Sequence, residues 1–270
     1  MIKRVMIVGC PRSGTTILQS ILSSHPEVLG IFESHFYSSL CSPKGWMRKL
    51  GLTPRKAIDI LKGINQDHKL YSSINSNALL AGKASNIFLS LLDYATSNAN
   101  KKVWIEKTPQ HLLYIDYIKK YTSGVRFIHI ERKAESVIAS IYHASLKYPE
   151  VWSFNSIEKS FELWKMNYIE NRRYHNSKDH IFVTLSQLID DPSSTLKRLF
   201  QFMEIEFIKN LEQKKSTEFT TINENQKEWL FESQNPLRKK EHCRFEETFN
   251  IDERLYISNK INETIKQNAF

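Results

Sequence analysis

Apolar and polar positions follow two rhythms along this chain. Residues 3–9 (KRVMIVG) form a short, Val/Ile-rich apolar run closed by glycine, the pattern of a strand buried on both faces. In residues 15–24 (TTILQSILSS) the apolar positions fall at Ile17, Leu18, Ile21 and Leu22, the 3.6-residue spacing of a helix, and His25-Pro26 stops it. The first unit is therefore strand, glycine-bounded loop, helix. The same grammar predicts strands over 28–32, 102–105, 125–130 and 181–185, and helices over about 110–121, 134–146, 156–174 and 192–203. The last of these opens on Pro192, whose fixed φ suits a first helical turn. Alternating strands and helices predict an α/β fold, a three-layer sandwich whose mainly parallel central sheet is covered on both faces.

Two stretches depart from the alternation. Residues 38–100 are polar, helix-leaning and rich in Ser, Asn and Lys, and read as an insertion between strands on the acceptor side of a ligand site. Residues 211–270 mix charge clusters with a final amphipathic helix at about 252–266 and read as a lid and helix. With 270 residues, 8 Gly, 8 Pro and no Pro-rich or Gly/Ser-rich tract, the chain reads as a single domain, 1–270. Cys10, Cys41 and Cys243 are odd in number and widely spaced, which suits neither a disulfide framework nor a Cys-based metal site. No window has the ~18–20 apolar residues that cross a bilayer, so the expectation is a cytoplasmic protein without a transmembrane segment. The formal charge of +9 suits an anionic partner. Nucleic acid is not the one expected, because the chain carries no Cys/His finger, RNP-like aromatic strand or long basic run.

Between the first strand and helix stands Gly9-Cys10-Pro11-Arg12-Ser13-Gly14-Thr15-Thr16, with the G-x-x-x-x-G spacing of a phosphate-binding loop. Such a turn aims backbone N–H groups and a helix N-terminus at one point, a site for phosphate or sulfate oxygens, so the fold expected is of the P-loop-containing nucleotide-binding type. A Walker loop would place Lys after the second glycine. Here that position is Thr15 and the cation is Arg12, which argues against ATP or GTP hydrolysis, although a P-loop kinase or NTPase and a non-catalytic nucleotide-binding protein stay as rival readings.

The segment PRSGTT at residues 11–16 resembles the 5′-phosphosulfate loop of sulfotransferases that use 3′-phosphoadenosine-5′-phosphosulfate, PAPS. That family's second signature, an Arg followed eight residues on by a Ser after a strand, is matched by Arg132 and Ser140. The resemblance implies PAPS as donor, with PAP as its product and no metal. It implies that Arg12, Ser13, Gly14, Thr15 and Thr16 cradle the 5′-phosphosulfate and that Arg132 and Ser140 hold the 3′-phosphate. Transfer to a hydroxyl needs a base for its proton. Glu33, in Ile31-Phe32-Glu33-Ser34-His35, is the candidate, as in the tyrosylprotein-type and bacterial branch of the family that the chain most resembles; His35 is its rival. Burial is expected to raise the pKa of Glu33. Lys107, in Glu106-Lys107-Thr108-Pro109, is similar to the family's lysine that approaches the sulfate, and with Arg12 would stabilise charge on the leaving phosphate. Where the family carries an aromatic on a later strand this chain has Val183-Thr184-Leu185, so Trp229 is a candidate replacement at the adenine, and Arg238, Lys239, Lys240 and Arg244 are candidates for closing over the donor. The acceptor expected is a hydroxyl of a saccharide, a tyrosine or a small metabolite.

Overall fold

The structure is a computed structural model and describes residues 2–31, 33–68, 70, 74, 78–213 and 244–268. Among these, β1 (Lys3–Val8), β2 (Val28–Ile31), β3 (Val103–Lys107), β4 (Val125–Glu131) and β5 (His180–Thr184) form one sheet in the order β2-β3-β1-β4-β5. Every pairing is parallel. A strand in the middle of such a sheet has no wet face, which is why Val5, Met6, Ile7 and Val8 of β1 are all fully buried.

The two faces of β1 enter different cores. Val5 and Ile7 meet Ile21 and Leu22 of α1 (Thr15–Leu22), together with later helices introduced below. Met6 and Val8 face the insertion and the segment after β3. The insertion is helical, as its composition predicts: α2 (Phe36–Leu40), α3 (Gly45–Lys49), α4 (Arg55–His68) and α5 (Ala81–Asn98). After β3 a 3-10 turn (Pro109–Tyr114) leads into α6 (Ile115–Tyr121). The predicted helix over 110–121 is thus divided: Pro109 locks the first turn and His111 N–H bonds back to the Thr108 carbonyl, a tight i to i+3 closure.

After β4 come α7 (Ala134–Lys147) and α8 (Ile157–Arg172), and after β5 α9 (Leu185–Asp190) and α10 (Pro192–Met203). Leu199 and Phe200 of α10 complete the layer on the α1 face. Leu185 is not the last residue of a strand, because Thr184 and Gln187 close a capping box that starts α9 at Leu185. In the tail, α11 (Phe245–Thr248) and α12 (Ile251–Gln267) join α7 and α8 in a third apolar cluster through Val137, Ile141, Phe161, Trp164, Phe249 and Ile257. Among the described residues no helix is long and apolar enough to cross a membrane.

The sheet order creates a crevice. The chain leaves β1 towards β2 on one side and leaves β4 towards β5 on the other, yet β1 and β4 are neighbours. Ligands of open α/β sheets bind outside the carboxyl ends of strands at such a switch point. The 9–16 loop follows β1 and Arg132 follows β4 there.

Candidate active site

The loop after β1 has glycine where no other residue fits. Gly9 has φ +155°, and a Cβ on it would lie 2.5 Å from the Ile130 carbonyl oxygen of β4. Gly14, the residue before α1, has φ +99°, and its Cβ would press on Leu185 at 3.0 Å. Between them Arg12 adopts φ 73°, left-handed backbone that costs a non-glycine residue ~1–3 kcal/mol and persists only where surroundings enforce it. Those surroundings are the second motif. Arg12 Nε donates to Ser140 Oγ at 3.1 Å, and an Arg132 guanidinium N–H donates to the Arg12 carbonyl at 3.2 Å. Ser13 and Thr15 are buried beside it, and the first turn of α1 carries neither a side-chain cap nor an acidic residue. The Gly9–Gly14 spacing and the Arg132/Ser140 spacing, far apart in sequence, therefore describe one place.

A second group adjoins it through Thr16. Lys107, at the end of β3 and fully buried, donates from Nζ to Thr16 Oγ1 at 3.2 Å and to Glu33 Oε1 at 2.5 Å. Glu33 Oε2 lies 3.3 Å from His35 Nε2, and the Glu33 side chain keeps a quarter of its surface exposed. Burial opposes the charge on Glu33, but Lys107 and then His35 outweigh it and hold the carboxyl at about 2. The expected upward shift is thus reversed. Desolvation is present, as the sequence suggested, and is the largest single influence, but the charge and hydrogen bonds of Lys107 and His35 together exceed it.

All nine residues singled out for the donor and the chemistry, Arg12, Ser13, Gly14, Thr15, Thr16, Glu33, Lys107, Arg132 and Ser140, lie at this end of the sheet, linked by those bonds or by chain neighbourhood. Arg244 reaches α7 as well: its guanidinium meets His143 Nδ1 at 3.3 Å, one turn beyond Ser140. Trp229, Arg238, Lys239 and Lys240 lie outside the described residues. Glu106 and Lys107 are the last two residues of β3. The structure buries both, on opposite faces of β3, because successive strand residues alternate sides. Three cations and an uncapped helix start against one carboxylate make a donor set suited to a polyanion.

Compared with known proteins, residues 4–209 match the sulfotransferase family. Among curated proteins none matches the chain. The chain is similar in structure to the sulfotransferase domain from the curacin biosynthetic pathway, with a TM-score of 0.63 and 14% identity over 97% of this chain and 98% of that one. It is similar to the sulfotransferase domain from the Synechococcus PCC 7002 olefin synthase at a TM-score of 0.61 and 16% identity, covering 97% and 96%. A mouse sulfotransferase complexed with PAP matches at 0.56 and 12%, covering 99% of this chain and 85% of that one. At these identities the likeness is one of fold.

Proposed function

Because the chain belongs to the sulfotransferase family, we propose that it transfers the sulfo group of PAPS to a hydroxyl of an acceptor. The observation that carries this reading is the bond from Arg12 to Ser140, which joins the loop suited to a phosphosulfate to the pair suited to a second phosphate. PAPS supplies a sulfo group activated by its bond to a phosphate oxygen. Arg12 and the N–H groups of residues 13–16 hold the 5′-phosphosulfate, and Arg132 with Ser140 holds the 3′-phosphate. Glu33 takes the acceptor proton as the new S–O bond forms. Arg12 and Lys107 stabilise the electron pair left on the phosphate oxygen as the old S–O bond breaks. No metal has a part in this scheme. The acceptor, a saccharide, tyrosine or small metabolite, approaches from the side of α2–α5, since Glu33 lies on the segment leading into α2.

Calorimetric titration with PAP and with adenosine 5′-monophosphate tests the donor assignment. The 3′-phosphate should tighten binding at least tenfold, and Arg132→Ala should weaken PAP by about 10- to 100-fold, the worth of a charged hydrogen bond, while affecting the monophosphate far less. Equal affinity for the two nucleotides overturns the reading. An acceptor screen with labelled donor, read as added sulfo mass in the presence of EDTA, tests the transfer itself and separates it from magnesium-dependent phosphoryl transfer.

A further inference from the structure

Glu106 lies on the face of β3 opposite Lys107, is completely buried, and has no part in the chemistry proposed above. A buried carboxylate is costly unless its oxygens are satisfied. Here Oε1 accepts three hydrogen bonds: from Ser34 N–H at 3.0 Å, Ser34 Oγ at 2.7 Å and Thr108 Oγ1 at 2.6 Å. The other oxygen, Oε2, lies 3.1 Å from His111 Nδ1. The same partners then bind the next amides along the chain. Thr108 Oγ1 accepts from His35 N–H at 3.2 Å, Ser34 Oγ from Phe36 N–H at 3.2 Å, and His111 Nε2 from Tyr37 N–H at 3.2 Å. Four consecutive N–H groups, at residues 34–37, thus end on Glu106 or on a group that Glu106 orients.

Directionality makes the set self-consistent. Because His111 Nε2 accepts from Tyr37, the imidazole proton sits on Nδ1 and is donated to Glu106. Because Thr108 and Ser34 give their hydroxyl protons to Glu106, their lone pairs face the amides. Burial opposes ionisation of Glu106, but the groups around it, His111 first, hold its carboxyl below the ordinary value, in keeping with an acceptor-only anion. These bonds begin at Ser34, the residue directly after Glu33, and His35 is held in left-handed backbone at φ 51°.

We infer that Glu106 is the positioning residue of the site: through Ser34, Thr108 and His111 it holds the 33–37 segment so that the Glu33 carboxylate stays against Lys107. This rests on the reading of Glu33 as the base. Glu106 touches neither the loop after β1 nor Arg132, so it governs the geometry of proton removal and leaves donor binding alone.

Thr108→Val keeps the shape and removes one hydroxyl, with its donation to Glu106 and its acceptance from His35. Amide hydrogen exchange at residues 34–37 should accelerate at least tenfold in this variant while β1 keeps its native rates. Displacing a reacting group by about an ångström costs on the order of 10²-fold, so kcat should fall about 10- to 100-fold with PAP affinity within twofold of native. Thr108→Ser, which retains the hydroxyl, should restore both. Glu106→Gln is the second variant. Its amide must turn a donor either towards the three donors on Oε1 or towards His111, so no assignment of protons satisfies every partner, and the same pattern should be stronger. Native exchange and native kcat in Thr108→Val overturn the inference, as does a loss of kcat matched by an equal loss of PAP affinity. A native chain that transfers no sulfo group sinks the sulfotransferase reading instead, and amide exchange at residues 34–37 then still decides whether Glu106 holds that segment.

Discussion

At Glu33 two forces act in opposite directions, and the contact distance decides between them. Desolvation alone would leave the carboxyl protonated more readily than in water, but the Lys107 ammonium at 2.5 Å, with His35 beside it, keeps it ionised down to about 2. In this state Glu33 has the charge a base needs and little basicity. In the proposed reaction, drawing Lys107 onto a sulfate oxygen would weaken the ammonium's hold and raise the affinity of Glu33 for a proton, with only His35 left to oppose burial. Glu33→Gln should therefore lower kcat on the order of 10²–10⁴-fold with PAP affinity nearly unchanged, as checked by steady-state kinetics beside calorimetry. His35→Asn is the matched control and should lose far less. If His35→Asn abolishes turnover while Glu33→Gln stays active, the base is His35. The candidate residues were legible in sequence as types at strand ends. The sign of the Glu33 shift was not, because it depends on which partner touches the carboxylate.

The elements show what local sequence encodes and where neighbours intervene. Pro192 at the start of α10, Ser156 capping α8 and Asn250 with Glu253 capping α12 are local signals, each satisfied within one turn of its own helix. Thr184 and Gln187 are a signal of the same kind. Reading through to Leu185 as strand overlooked it, and the T-x-x-Q spacing alone would have located α9. The loop after β1 is different. Gly9 looks like a turn residue in sequence, but what requires glycine is the Ile130 carbonyl of a strand more than a hundred residues away. Gly9→Ala should destabilise by about 2–4 kcal/mol, since it adds strained backbone to a backbone collision between two central strands. Gly45→Ala, with nothing within 4 Å of the new methyl group, should change stability by less than about 1 kcal/mol. Urea unfolding of both variants checks the contrast, and equal stabilities would overturn it.

On the scale of the whole molecule, the flank of the sheet opposite β2 holds a second set of buried polar groups. His129 Nε2 meets His180 Nδ1 at 2.7 Å, and His129 Nδ1 bonds the Asn171 side chain. Burial lowers His129 to about 3 and His180 to about 4, from an ordinary 6.5. The folded protein thus refuses protons that the unfolded chain accepts. Stability is fully present above pH 6.5 and is lost as pH falls from there towards about 4, by up to about 1.4 kcal/mol per pH unit for each histidine. Urea unfolding between pH 7 and 4.5 should show this slope, and His180→Phe should reduce it; a flat profile would overturn the assignment. No spacing in the sequence announces the pair, because His129 and His180 meet only when β4 and β5 become neighbours. By itself the sequence determined the alternation of strands and helices, the parallel α/β class and the glycine-bounded loop, since each depends on periodicity or on contacts within a few residues, while resemblance to a known family singled out Arg132 and Ser140. The tertiary structure alone decided that Arg12 meets Ser140, that Lys107 lies on Glu33 and that Glu106 turns to the opposite face to hold Ser34. These pairings need strands from distant parts of the chain to lie side by side in one register, which is a property of the assembled sheet.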